Sequence, residues 1–187
     1  MRKLFVFMMT SLDGFFEGKD HDLTWHMVDK EVNDFSKEQI GEIDTMLFGR
    51  ITYELMRNYW PTPEGLKDDP VIANLMNKTP KFVASRTLKS VDWENTTLIE
   101  GDLETEIIKL KALPGKDIVI FGSSNLCVSL LEMGQLDEVR VIVNPVVLGD
   151  GKSLFTGLTK KISFEVTGSK TFKNGDVLLY YKPKYEE

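Results

Sequence analysis

Apolar positions recur along the chain in two patterns, as short continuous runs and as positions three or four residues apart. The continuous runs predict buried strands at Lys3–Thr10, Thr45–Gly49, Lys81–Ser85, Thr96–Glu100 and Asp117–Gly122. The helical spacing predicts helices from about Asp29, over Arg50–Trp60, over Pro70–Asn77, and after Asp102 and Ser123. Strands that alternate with helices predict an α/β fold with a mainly parallel sheet and helices on both faces.

The helix ends carry their own signals. Asp29, Asp69 and Asp102 stand where N-caps are expected, and either Ser123 or Ser124 is expected to cap the helix that ends at Gly134. The segments Ser11–Asp20 and Pro61–Asp69 are predicted as loops.

The last third of the chain has a different pattern. Glu138–Gly149, Ile162–Phe172 and Asp176–Pro183 are rich in β-formers, and Asn174-Gly175 is a hairpin signal between the last two. A C-terminal antiparallel hairpin is therefore expected beside the parallel sheet. No linker or repeat divides the 187 residues, which predicts a single domain over residues 1–187.

Composition excludes several classes of protein. With 42% apolar residues, 28% charged residues and a net charge of −6, the chain is predicted to be globular and soluble, and not a nucleic-acid-binding module. Cys127 is the only cysteine, so no intrachain disulfide and no cysteine zinc site are expected. The N-terminus predicts a core strand better than a signal peptide, and no run is long enough to cross a membrane. A cytoplasmic protein is expected.

Two strand-to-helix junctions are candidates for phosphate binding. They are LFGRITYE, Leu47–Glu54, and IFGSSNL, Ile120–Leu126. A glycine lets a ligand approach the backbone, and the first N–H groups of a helix are donors for phosphate oxygens. Neither junction matches the dinucleotide fingerprint or the P-loop. The residue spacing alone favours neither a nucleotide site nor two ordinary capped strand–helix connections, and both interpretations remain equally open.

Five segments in order over nearly the whole chain resemble the dihydrofolate reductase superfamily. They are SLDGFFEG, MLFGRITYE, VASR, IVIFGSSNL and LDEVRVIVNPVVLGDGKSLF. The resemblance is to the branch with the C-terminal reductase domain of the riboflavin-biosynthesis deaminase/reductase. It implies a dihydrofolate reductase-like three-layer fold, a homodimer and NADPH as cofactor. The deaminase zinc signature is not present, since two histidines and one cysteine cannot form it.

The resemblance also implies which residues hold NADPH. Arg86 corresponds to the position that faces the 2′-phosphate, and Phe16 to a position that lines the nicotinamide pocket. Family members usually carry Gly-Gly with a cis bond where this chain has Gly122-Ser123. The full implied cofactor set is Phe16, Gly49, Arg50, Ile51, Thr52, Ser85, Arg86, Phe121, Gly122, Ser123, Ser124, Asn125 and Leu126.

The candidate catalytic residues are Asp13, Asn33 and Asp34. Asp13 precedes a glycine, where an Asx-turn to the local backbone competes with a direct role at the substrate or nicotinamide. Dihydrofolate reductases place a carboxylate on the first helix; the corresponding position here falls close to Asn33, which is no acid, with Asp34 beside it. His26 is a further candidate proton donor, against a plain surface-loop role.

The candidate substrate-binding residues are Trp25, Gly149, Gly151 and Lys152. The last three are similar to a substrate-phosphate loop in the riboflavin branch, although a glycine-rich turn with a solvated lysine accounts for them equally well. The favoured hypothesis is an NADPH-dependent reductase of a small pyrimidine- or pteridine-like substrate, such as a 5-amino-6-(5-phosphoribosylamino)uracil-type compound. The alternatives are a non-catalytic NADP(H)-binding protein on the same fold and an unrelated α/β binding domain.

Overall fold

A computed structural model describes residues 1–185, except for the side chain of Ile40. Over this range the strands are β1 Leu4–Ser11, β2 Phe15–Gly18, β3 Ile43–Gly49, β4 Lys81–Ala84, β5 Thr96–Leu98, β6 Asp117–Phe121, β7 Glu138–Asn144, β8 Gly151–Ser153, β9 Ser163–Thr171 and β10 Val177–Lys184. The helices are α1 Lys30–Ile40, α2 Arg50–Tyr59, α3 Pro63–Asp68, α4 Pro70–Lys78, α5 Leu103–Ala112 and α6 Ser124–Glu132.

Eight of the ten described strands form one central sheet in the order β5-β4-β3-β6-β1-β7-β10-β9, and β2 and β8 form a separate pair. The strands from β5 to β7 run parallel, and β10 and β9 close one side as an antiparallel hairpin. The strand β6 lies between β3 and β1, although it follows both along the chain. As a result, the carboxyl ends of β4, β3, β6, β1 and β7 lie side by side along one edge of the sheet.

Helices cover both faces of the sheet, each through its own hydrophobic cluster. Helices α5 and α6 pack on one face, where Ile107 and Leu130 are fully buried. On the other face, Tyr53 of α2 and Met76 of α4 pack with Trp93, and α1 contributes Val32 to a neighbouring cluster. The predicted α/β three-layer fold with a C-terminal hairpin is confirmed.

Three predicted helix starts are confirmed by the contacts of their caps. The carboxylate of Asp29 accepts from Val32 N at 2.9 Å. The carboxylate of Asp69 accepts from Ile72 N at 3.1 Å, directly before Pro70. Asp102 caps α5 in the same way. In each case an acidic side chain satisfies N–H groups that the helix itself cannot pair.

Two predicted loops contain regular structure. Residues 15–18 form β2, which pairs antiparallel with β8, and residues 63–68 form α3. At Gly151 a Cβ atom would lie 2.4 Å from the carbonyl oxygen of Glu17, so glycine is required for this pairing. The partner strands are more than 130 residues apart, and no local pattern marks such short strands.

At the opposite edge of the sheet, Lys81 is fully buried at the start of β4. Its Nζ donates to the carbonyl oxygens of Met76, Asn77 and Thr79 at 2.9, 3.1 and 2.7 Å. These carbonyls belong to the last turn of α4 and to the residue after it, so Lys81 closes the C-terminus of that helix. Burial lowers the pKa of Lys81 to about 8.

Candidate functional site

The two glycine-containing junctions lie in contact, because β3 and β6 are neighbours. A Cβ atom on Gly49 would lie 2.0 Å from Ser123 Oγ and 3.0 Å from Ser123 Cβ. A Cβ atom on Gly122 would lie 3.6 Å from Thr52 Oγ1. The starts of α2 and α6 therefore converge at the carboxyl edge of the sheet, where ligands bind in open α/β folds.

The N-termini of α2 and α6 differ from those of the other helices. Side chains cap α1, α3, α4 and α5, but within residues 1–185 none caps α2 or α6. The hydroxyl of Ser124 is buried at the start of α6 and has no hydrogen-bond partner in the described chain. The first N–H groups of two adjacent helices are thus left for an anionic ligand.

Ser123 occupies the N-cap position of α6, as predicted, but the expectation that Ser123 or Ser124 caps the helix is wrong. Ser123 has φ 76° and ψ 76°, and this left-handed conformation turns its hydroxyl away from the helix N–H groups toward Gly49. Gly122 also has a positive φ, of 80°. Among the described residues no peptide bond is cis, so the Gly122–Ser123 bond is trans and departs from the family pattern.

The remaining residues of the implied cofactor set line the same edge at different depths. Arg50 is exposed and its Nη1 lies 2.9 Å from Glu54 Oε2 on the next turn of α2, while Ile51 beside it is also exposed. Phe121 packs edge-on against Phe7 at 6.4 Å. Leu126 is a buried core residue and Asn125 is exposed.

Ser85 and Arg86 follow β4, the neighbour of β3 on its other side. The Ser85 hydroxyl accepts from Thr87 N at 3.1 Å and Leu88 N at 3.0 Å, which shapes the turn. Arg86 is exposed on that turn. The structure thus places VASR beside the Gly49 junction, at the same sheet edge.

Asp13 links two distant loops. Its carboxylate accepts from Leu148 N at 3.2 Å and from Gly149 N at 2.8 Å. Hydrogen bonds from the Ser11 hydroxyl and from Gly149 lower the pKa of Asp13. The residue therefore binds backbone 135 residues away, and both carboxylate oxygens are engaged in holding the loop after β7.

The candidates on α1 point in different directions. Asn33 Nδ2 donates to Asp69 Oδ2 at 3.3 Å, toward the start of α4, where Lys37 lies 3.0 Å from the same oxygen. Asp34 is exposed and pairs with Lys30 at 2.5 Å. Asp34 follows Asn33 by one residue, which is a rotation of about 100° around the helix, so its side chain faces solvent and not the converging junctions.

Trp25 and His26 lie on the segment between β2 and α1. The Trp25 indole N–H donates to the carbonyl oxygen of Asp22 at 3.0 Å, and its ring stands edge-on to His26 at 4.3 Å. Nε2 of His26 is buried and has no partner among residues 1–185. Burial lowers the pKa of His26 and so favours the neutral imidazole, and a backbone hydrogen bond with Phe16 opposes this shift.

Sequence reasoning missed Asn144, a fully buried residue at the end of β7. Its Oδ1 accepts from Met27 N at 2.9 Å, and Asn174 Nδ2 donates to the carbonyl oxygen of Met27 at 3.0 Å. The segment that carries Trp25 is therefore attached to the end of the sheet from both sides. A polar residue directly after the apolar run Val141–Val143 was the available signal.

Phe16 and Lys152 lie together on the paired strands β2 and β8. The Phe16 ring is buried in the core, and Lys152 Nζ stands 5.5 Å from its centroid. Gly149 has φ 76° and Gly151 has φ 155°, so both glycines are required by the backbone of this loop. Gly149, Gly151 and Phe16 therefore each have a structural role, the glycines in the backbone of the loop and Phe16 in the core.

In the part of the chain that the structure describes, no helix is long and apolar enough to cross a membrane. The fold is an α/β fold of the dihydrofolate reductase type. Residues 2–178 match the RibD C-terminal domain family, and the chain belongs to that family.

The chain is also similar to individual proteins and solved structures. The uncharacterized protein YyaP of Bacillus subtilis is 33% identical over 182 residues, which cover 96% of this chain and 94% of YyaP. The crystal structure of a putative riboflavin biosynthesis protein from Shewanella sp. PV-4 superposes with a TM-score of 0.75 at 24% identity, covering 98% and 99% of the two chains. Dihydrofolate reductase from Enterococcus faecalis, solved with NADP(H), gives 0.64 at 17% identity, covering 98% and 97%.

Proposed function

We propose that the protein is an NADPH-dependent reductase of a small heterocyclic substrate. The observation that carries the proposal is the pair of uncapped helix N-termini, α2 and α6, that meet at Gly49 and Ser123 on neighbouring strands. Membership of the RibD C-terminal domain family supports an oxidoreductase. The similarity in fold to a dihydrofolate reductase solved with NADP(H) supports the nicotinamide cofactor.

The residues at the junctions fit a dinucleotide. The backbone N–H groups at the starts of α2 and α6 would bind the pyrophosphate, and the buried hydroxyl of Ser124 supplies a further donor. Gly49 lets the start of α2 pack directly against Ser123 at the start of α6, which brings the two sets of N–H donors together. Arg86, exposed on the turn after β4, would pair with the 2′-phosphate that distinguishes NADPH from NADH.

The chemistry requires little from the protein beyond orientation. Bound NADPH supplies a hydride, and the balanced reaction is NADPH + H⁺ + substrate → NADP⁺ + dihydro-substrate. Burial lowers the pKa of His26, which disfavours its protonated form, and the amide of Asn33 is no acid. We propose that the proton comes from solvent and that this chain's residues orient the substrate.

The cofactor assignment is tested by binding. Saturable NADPH binding, followed by fluorescence and by thermal shift, is expected for the wild-type protein. Arg86→Ala should weaken NADPH by about ten-fold and NADH much less, because only NADPH carries the phosphate that the guanidinium pairs with. Arg57→Ala is the matched control, since Arg57 is paired with Asp92. Equal losses for the two cofactors would refute the role of Arg86, and no binding of either would refute the proposal.

One observation favours a second candidate, a non-catalytic NADP(H)-binding protein. On α1, Asp34 faces solvent and Asn33 bonds to Asp69, so neither offers a carboxyl group to the converging junctions. Cofactor binding without turnover on dihydrofolate, the ribosylaminouracil compounds, quinones and aldehydes would support this candidate over the reductase.

We also propose that the protein is a cytoplasmic homodimer, as the resemblance to the riboflavin branch implies. Light scattering coupled to size-exclusion chromatography tests the stoichiometry. A mass close to the 21.3 kDa of one chain at micromolar concentration would contradict it.

A further inference from the structure

Four exposed apolar side chains lie around the carboxyl ends of β1 and β7, and we name them the apolar rim. They are Leu12, Met27, Val28 and Val147, with 67%, 41%, 57% and 64% of their surface exposed. Leu12 N donates to the carbonyl oxygen of Val146 at 2.7 Å, and Met27 is attached to Asn144. Exposed apolar side chains gathered at one place mark a binding surface more often than isolated ones do.

The apolar rim lies next to the cofactor junctions. Strand β1 is the direct neighbour of β6, with Phe7 opposite Phe121, the residue before Gly122. β1 continues four residues beyond that point to Ser11, which pairs with Asn144. A substrate that meets the reactive end of a cofactor held at Gly122 would therefore lie against the ends of β1 and β7.

The segment that carries Leu12, Met27 and Val28 is mostly negative in charge. Between Ser11 and Asp34 the chain carries seven carboxylates and two lysines, Lys19 and Lys30, and Lys30 is paired with Asp34. Lys152 stands over the ring of Phe16. A phosphate group carries close to two negative charges at neutral pH, so the net negative charge of this segment disfavours it.

The buried polar atoms here are suited to a neutral ligand. Asn144 is fully buried and its Nδ2 has no partner within residues 1–185, while its Oδ1 is held by Met27. Nε2 of His26 is buried and unpaired in the same described range. The Asn144 amide can donate to a carbonyl oxygen. The unpaired Nε2 of a neutral His26 can accept from a ring N–H, because the other ring nitrogen donates to Phe16, and neither group can balance an anion.

We infer, on the basis of the proposed reductase function, that the substrate is an uncharged ring compound with an apolar body, and that phosphorylated substrates are excluded. The expected substrates are quinone-like or neutral heterocyclic carbonyl compounds. One hydride from NADPH and one proton from water reduce them to the dihydro or hydroquinone form. The Gly149–Lys152 loop then serves to anchor β8 and does not bind a substrate phosphate.

A matched pair of compounds tests the inference. Binding and NADPH oxidation are measured for 5-amino-6-ribosylaminouracil, for its 5′-phosphate, and for a neutral naphthoquinone, with the wild-type protein saturated with cofactor. We expect the compounds without phosphate to bind at least about ten-fold more tightly than the 5′-phosphate. A preference for the 5′-phosphate would overturn the inference, as would failure of both uncharged compounds to bind.

Introducing positive charge at the rim is a second test of the inference. Leu12→Arg and Val147→Arg should raise the dissociation constant of the naphthoquinone by about ten-fold and lower that of the 5′-phosphate, with NADPH affinity unchanged. Leu113→Arg, which alters an exposed leucine after α5, is the control and should change neither dissociation constant. Rim variants that behave like this control would overturn the inference. Failure of the wild-type protein to bind NADPH is a separate result, and it would contradict the proposed function itself.

Discussion

The contact between Gly49 and Ser123 allows a sharp test of the site. In Gly49→Ala the new Cβ would lie 2.0 Å from Ser123 Oγ and 3.0 Å from Ser123 Cβ. Rotation of the hydroxyl relieves the first contact, but the second joins two atoms that cannot rotate away, so the junctions must separate. Overpacking of this kind costs about 1–3 kcal/mol of unfolding free energy. NADPH affinity should fall as well, because the two sets of N–H donors move apart.

The compensating change is Ser123→Gly, which removes both contacting atoms. Alone, Ser123→Gly should leave the unfolding free energy nearly unchanged. It relieves the strain of a left-handed serine at φ 76°, which stabilises by about 1 kcal/mol, but glycine loses more backbone entropy on folding, which costs about the same. The double variant Gly49→Ala/Ser123→Gly should recover most of the lost stability. The expected coupling is about 1–3 kcal/mol.

The assay is urea denaturation of the four proteins of this cycle, with NADPH titration of each. Gly168→Ala is the control for a generic glycine effect, because a Cβ there would meet the ring of Tyr180 at an ordinary 3.4 Å. If the two changes at the junctions add to within about 0.5 kcal/mol, the contact does not hold in solution and the reasoning is refuted.

Three further changes test other contacts. Lys81→Met should lower the unfolding free energy by about 2–4 kcal/mol, because three carbonyl oxygens lose their donor. Because the pKa of Lys81 is lowered to about 8 from 10.5, the folded state binds fewer protons between these values. Wild-type stability should therefore rise with pH relative to the variant across that window, and parallel stability curves would contradict this. Asp13→Asn should destabilise the protein at neutral pH, because the hydrogen bonds that lower the pKa of Asp13 favour its charged carboxylate in the folded state. The difference in unfolding free energy between wild type and variant should shrink as the pH falls below 3.8. A difference that does not depend on pH would exclude a stabilising hydrogen bond from Gly149 N to the charged carboxylate. Asn144→Ala should lower the unfolding free energy by about 1–3 kcal/mol, because the N–H of Met27 loses its acceptor. Proteolysis near Met27 should also become faster, and an unchanged cleavage rate would refute the attachment of Met27 to Asn144.

Much of the fold could be predicted from the sequence because its signals act over a few residues. Apolar runs mark the strands that carry the core, and Asp29, Asp69 and Asp102 cap helices where they were expected. The Asn174-Gly175 hairpin is read from two residues in the same way. The glycines of both junctions, Gly49 and Gly122, were likewise visible as places where a ligand could approach the backbone.

The tertiary structure decided what those local signals become. It inserts β6 between β3 and β1, which brings Gly49 against Ser123 and turns that serine from an expected cap into a left-handed contact. It pairs β2 with β8 and gives Asp13 partners 135 residues away. Strand order and such long-range bonds depend on which surfaces meet in the folded chain. A pattern of neighbouring residues predicts the pieces of this candidate site, and only their packing brings them together.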